Sequence, residues 1–82
     1  MYSIDVEECR RIVENCVKSE FRKRNPNLPI PAILVQIESM RMQGVECHAH
    51  GYVKPDTVYG LRQRIDFYAQ VDRKTRACVV KF

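Results

Sequence analysis

A two-layer α+β domain, one N-terminal amphipathic helix packed on a four-stranded antiparallel sheet, is the fold this chain predicts as a single domain over residues 1–82. Three features lead there. Apolar side chains between Asp5 and Arg24 recur in steps of three and four, the period of a helix with one dry stripe. From Val45 onward they recur at every second residue, the period of a strand with one wet and one dry face. Short polar or glycine-bearing turns separate the alternating runs, as hairpins require.

The helical stripe is Val6, Cys9, Ile12, Val13, Cys16, Val17 and Phe21. Asp5 is placed to cap its start, with Glu8 completing a capping box and Ile4 stapled onto Cys9. Glu7 and Glu8 sit at the positive end of the helix dipole, and Lys18, Arg22, Lys23 and Arg24 towards the negative end. Pro26, Pro29 and Pro31 then stop the helix and stiffen the link.

Ala32 to Met42 suits either a helix or a strand; Ile33, Val35 and Ile37 are β-branched and favour the strand. A three-residue loop, Met42-Gln43-Gly44, would give Gly44 its left-handed conformation and set Arg41 opposite Val45, Ser39 opposite Cys47 and Ile37 opposite Ala49. The next strand, Val45 to Lys54, sends Val45, Cys47, Ala49, Gly51 and Val53 to one side. Glu46, His48, His50, Tyr52 and Lys54 go to the other. Pro55-Asp56-Thr57 turns the chain. A third strand, read from Tyr59 to Val71, buries Leu61, Ile65, Phe67, Ala69 and Val71 and shows Arg62, Arg64, Asp66 and Tyr68 to water. Asp72 to Thr75 turns again, with Val71 opposite Arg76, and Arg76 to Phe82 returns with Cys78, Val80 and Phe82 inward. The order resembles several unrelated single-helix-on-sheet architectures, the cystatin-like arrangement among them; a shared layout implies no function.

Composition excludes several classes. Apolar residues at 45% support a globular chain, and no apolar run reaches the ~18 residues of a bilayer span. The N-terminus lacks the basic start and apolar block of a signal peptide, so a cytoplasmic location and no membrane partner are expected. A net charge of +4 is mild and names no partner. Cys9, Cys16, Cys47 and Cys78 form no C-x-x-C pair and all fall on interior positions, which reads as core thiols, the way a small buried hydrophobe behaves.

Chemistry-bearing clusters are few. His48 and His50 share a strand face and could hold one metal ion, but a closed structural zinc site needs four protein ligands, so no metal and no cofactor are expected. Cys47 points away from both histidines, which removes a thiol–imidazole pair, and only three glycines leave no phosphate-cradling loop. The expectation is a non-enzymatic binding protein acting on another protein, of inhibitor, adaptor or mobile-element accessory type. Its contact residues are Tyr52, Arg62, Arg64 and Tyr68, with His48 and His50 at the margin, because Tyr and Arg dominate interfaces. One alternative is nucleic-acid binding, with the same aromatic and cationic face joined by Lys18, Arg22, Lys23 and Arg24. Another is a metal-dependent role for the two histidines. A homodimer through an exposed sheet edge is a further expectation.

Overall fold

The computed structural model describes residues 4–27, 32–56 and 64–82. Helix α1 (Val6–Arg24) precedes strands β1 (Ala32–Gln43), β2 (Glu46–Asp56), β3 (Ile65–Asp72) and β4 (Cys78–Lys81). The strands form one antiparallel sheet in the order β1-β2-β3-β4, and α1 covers one of its faces. The ambiguous segment 32–42 is a strand.

Local chemistry sets the helix ends. Asp5 Oδ1 accepts the Glu8 backbone N–H at 2.9 Å, the N-cap bond expected. Glu8 does not close a capping box. Its carboxylate takes Arg76 Nη1 at 2.6 Å and Arg11 at 3.6 Å, tying the helix start to the β3–β4 turn. Ile4 and Cys9 are both buried, as a staple requires, whereas Val6 is exposed. At the other end Asn25 donates its side-chain amide to the Phe21 carbonyl at 2.9 Å, and its own N–H to Arg22. That satisfies carbonyls the helix cannot reach.

The β1–β2 register corrects the expected pairing. The loop has two residues, Gly44 and Val45, with Gln43 opposite Glu46 and Met42 opposite Cys47. Gly44 has φ +57, the conformation needed at the first central position of a II′ turn. This tighter turn sends Met40 and Met42, not Ser39 and Arg41, towards the core. A bulge at Glu38, between the pairs Ile37–Gly51 and Ser39–His50, then reverses the parity, so that Ile33, Val35 and Ile37 also face inward. Gly51 sits beside the bulge. A Cβ there would stand 1.9 Å from the Gln36 carbonyl oxygen, so only glycine fits.

From β2 onward the alternation follows the sequence. Cys47, Ala49, Gly51 and Val53 are buried, as are Phe67, Ala69 and Val71 on β3 and Val80 on β4. Val71 pairs with Cys78 rather than Arg76. That two-residue shift preserves every side assignment. Phe82 is only partly covered, its ring edge-on to Phe21 at 5.8 Å. Residues 57–63 lie outside the described residues, so the expected strand start at Tyr59 does too.

The core thiols are a second correction. Cys9 is bonded to Cys47 and Cys16 to Cys78, leaving no free cysteine. Cys47, Val71 and Cys78 stand in one row across β2, β3 and β4. Two inter-strand steps span ~9.6 Å. Seven helical residues, the step from Cys9 to Cys16, rise ~10.5 Å. The helix therefore runs across the strands, and two cysteines two turns apart meet two cysteines two strands apart. Cys9 and Cys16, two turns apart on one helix, are out of each other's reach, but between the layers the bonded Cα atoms are 6.8 and 6.5 Å apart.

Candidate functional site

The sheet face turned away from α1 carries the polar and aromatic side chains. Pairing brings them into rows: Arg41, His48, Gln70 and Val79 in one, and Ser39, His50, Tyr68 and Lys81 in the next. Tyr52 pairs with Gln36 and Asp66 further along.

His48 is the centre of the first group. Its Nε2 lies 3.2 Å from Glu46 Oε1, and its Nδ1 is hydrogen-bonded to the Tyr68 hydroxyl. A carboxylate only accepts, so Nε2 carries the proton and donates to Glu46. In the neutral ring Nδ1 is then the acceptor and the Tyr68 O–H the donor. The second Glu46 oxygen accepts from the Gln70 amide. Glu46 thus fixes the imidazole tautomer, and the imidazole polarises the phenol. Beside it, His50 Nε2 is 2.8 Å from Ser39 Oγ. Ser39, Met40, Arg41, His48, His50 and Tyr68 line a depression of about 200 Å³.

The second group centres on Arg64. Its guanidinium lies 4.1 Å above the Tyr52 ring, 2.8 Å from Glu38 and 2.9 Å from Asp66. The hydrogen bond to Asp66, opposed by some desolvation and aided by the charges of Glu38 and Asp66, holds its proton more firmly than usual. Lys54 approaches the same ring at 5.5 Å. The Glu38 carboxylate reaches Arg64 from the bulge, which links the β1 irregularity to this cluster.

Of the residues expected at a contact face, Tyr52, Arg64, Tyr68, His48 and His50 share this side of the sheet. They fall into two clusters rather than one surface. Arg62 lies outside the described residues. Lys18, Arg22, Lys23 and Arg24 belong to α1, on the opposite layer, and are not brought to the sheet face; Arg24 pairs with Glu20 at 3.6 Å and lies over Phe82 at 5.3 Å. Among the described residues no group of three or more His, Cys, Asp or Glu side chains is placed to hold a metal ion. The contact set expected from the sequence left out Glu46, Ser39, Arg41 and Gln70. The period-two pattern did put Glu46 beside His48, but Ser39 and Arg41 reached this face only through the two-residue turn.

These features define a two-layer α+β domain, stapled by two disulfides, with one sheet face left open. No protein-family model matches the chain, nor does any curated protein or solved structure. Among the described residues no helix is long and apolar enough to cross a membrane.

Proposed function

We propose that this is a non-enzymatic binding protein of an oxidising compartment, whose open sheet face takes another protein. One observation carries the proposal. The helix closes one face of the sheet, while the other keeps Tyr68, Val79 and Leu34 at 39%, 60% and 56% exposure among histidines and cations. Apolar and aromatic groups set in a polar surround are the composition of an interface. The Tyr52–Arg64 stack adds a rigid anchor, because Arg64 is already held by two carboxylates. Tyr68 is the residue expected to contribute most, with His48 and His50 beside it.

The compartment follows from the cysteines. Reducing thiol pools keep cytosolic cystines open, so two disulfides favour an oxidising location over the cytoplasmic one expected from the sequence. Alkylation of the protein taken from its source cells without reductant tests this. Four blocked positions before reduction would refute it; blocking only after reduction is the expected result.

The partner class is tested by affinity capture with the double variant Tyr68→Glu and Val79→Glu against Arg22→Glu and Lys23→Glu on the helix. Loss with the sheet variant alone is expected. Loss with the helix variant alone, with a steep fall in affinity as salt rises, would instead mean nucleic acid bound through phosphate contacts.

A further inference from the structure

The acids of the open face have hydrogen-bond partners within the face, and among the described residues the cations around its depression have no acidic one. Glu38 and Asp66 are held by Arg64, Glu46 by His48 and Gln70, and Asp72 by the backbone N–H groups of Lys74 and Thr75. Arg41 lines the depression and Lys81 stands in the row of Tyr68, both exposed and with no acidic partner among the described residues. Ser39 and Tyr68 carry hydroxyls there with one proton each: Tyr68 gives its own to His48, and Ser39 and His50 Nε2 share a hydrogen bond that leaves one further donor between them. Positive charge and one donor therefore converge on a space of about 200 Å³ whose lining holds no carboxylate. That is the chemistry of an oxyanion receptor: a guanidinium for paired hydrogen bonds, one further donor from the Ser39–His50 pair, and a second cation in the row of Tyr68.

We propose that the depression bounded by Ser39, Arg41, His48, His50 and Tyr68 binds a phosphoryl group. Arg41 is its principal anchor, and the Ser39–His50 pair donates one further hydrogen bond to the oxygens. His48 contributes indirectly. Held by Glu46, it takes the Tyr68 hydroxyl proton, so the Glu46–His48–Tyr68 chain fixes one wall of the depression and gives the anion no hydrogen bond. Lys81 supplies long-range attraction without a fixed bond. The group would arrive either as a doubly charged monoester end or as a singly charged diester link, and the site chemistry accepts both. The proposal is independent of a protein partner, since a small anion is enough to test it.

The probes are inorganic phosphate and dimethyl phosphate, added to the oxidised protein at constant ionic strength while the ring resonances of His48 and His50 are followed by NMR. Saturable shifts of both rings with at least one probe are expected, with phosphate alone marking a monoester site and both marking tolerance of diesters. Arg41→Ala should weaken binding about tenfold, the loss of one charge-assisted contact. Arg22→Ala, on the opposite layer, should leave it unchanged. Both residues are exposed, so both variants should keep the wild-type amide spectrum, and Arg41→Lys serves as a second check should Arg41→Ala disturb it. Shifts that do not saturate with either probe would overturn the proposal. So would binding that Arg41→Ala and Arg41→Lys leave intact, or that Arg22→Ala weakens equally.

Discussion

Gly51 is a residue whose identity the backbone dictates. Its neighbour across the bulge leaves no room for a methyl group, because the Gln36 carbonyl oxygen would lie 1.9 Å from a Cβ and cannot swing aside as a side-chain tip would. Gly51→Ala should destabilise the fold by about 1–3 kcal/mol, as overpacked sites do. In a domain of this size that lowers the melting temperature by about 4–8 °C per kcal/mol. Calorimetry checks it, and an unchanged transition would mean that the bulge is absent. Asp72 acts through charge instead. Backbone N–H groups of Lys74 and then Thr75 hold its carboxyl below the usual carboxylate range. The unfolded chain takes up this proton first, at an ordinary Asp value of about 3.9. The contribution to stability is therefore complete above that pH and is lost as the pH falls through the lower folded value. Asp72→Asn keeps an acceptor for the turn but cannot titrate. Its melting temperature should fall less between pH 5 and pH 2 than that of the wild type. Parallel acid limbs would show that the turn contributes no such linkage.

At the level of elements, the disulfides hold two layers together where the core alone is thin. Cys9–Cys47 closes a sequence separation of 38 and Cys16–Cys78 one of 62. In the chain-entropy account, loops of that length are worth about 4 kcal/mol each. The bridges differ in access: Cys9 and Cys47 are fully buried, while Cys16 and Cys78 are half-buried. Graded dithiothreitol, followed by alkylation and mass spectrometry, should therefore open Cys16–Cys78 first. Full reduction should bring unfolding to milder denaturant. A protein that melts identically in both redox states would remove the bridges from any structural role. The strands divide similarly. β2 and β3 are paired on both sides, so their alternation is enforced by the core below. Among the described residues β1 has a sheet partner on one side only, and there the chain accommodates a bulge.

For the whole molecule, the consequence is a closed face and an open one. Among the described residues both edges of the sheet, β1 and β4, have one unpaired side, which is the geometry for pairing with a second copy. Two features work against it: the Glu38 bulge distorts the middle of β1, and β4 spans only Cys78–Lys81. Sedimentation at micromolar concentration should accordingly give a monomer. A dimer lost on substituting proline for Leu34, which is exposed, would reverse that view and restore the edge pairing expected from the sequence.

Periodicity by itself determined the class of fold, the extent of the helix and the faces of β2, β3 and β4, because a core-facing stripe constrains spacing wherever an element is packed on one side. It also chose Tyr52, Arg64, Tyr68, His48 and His50 for the open face on parity alone. It did not determine the β1 register, since a two-residue and a three-residue turn around Gly44 are both chemically sound and differ by a residue. That difference decides whether Ser39 and Arg41 stand beside the histidines. Nor did it determine the cysteine pairing. Interior positions suit a thiol and a cystine equally, and only the crossing of helix over sheet, a property of the packed layers, brings residues 38 and 62 positions apart within bonding distance.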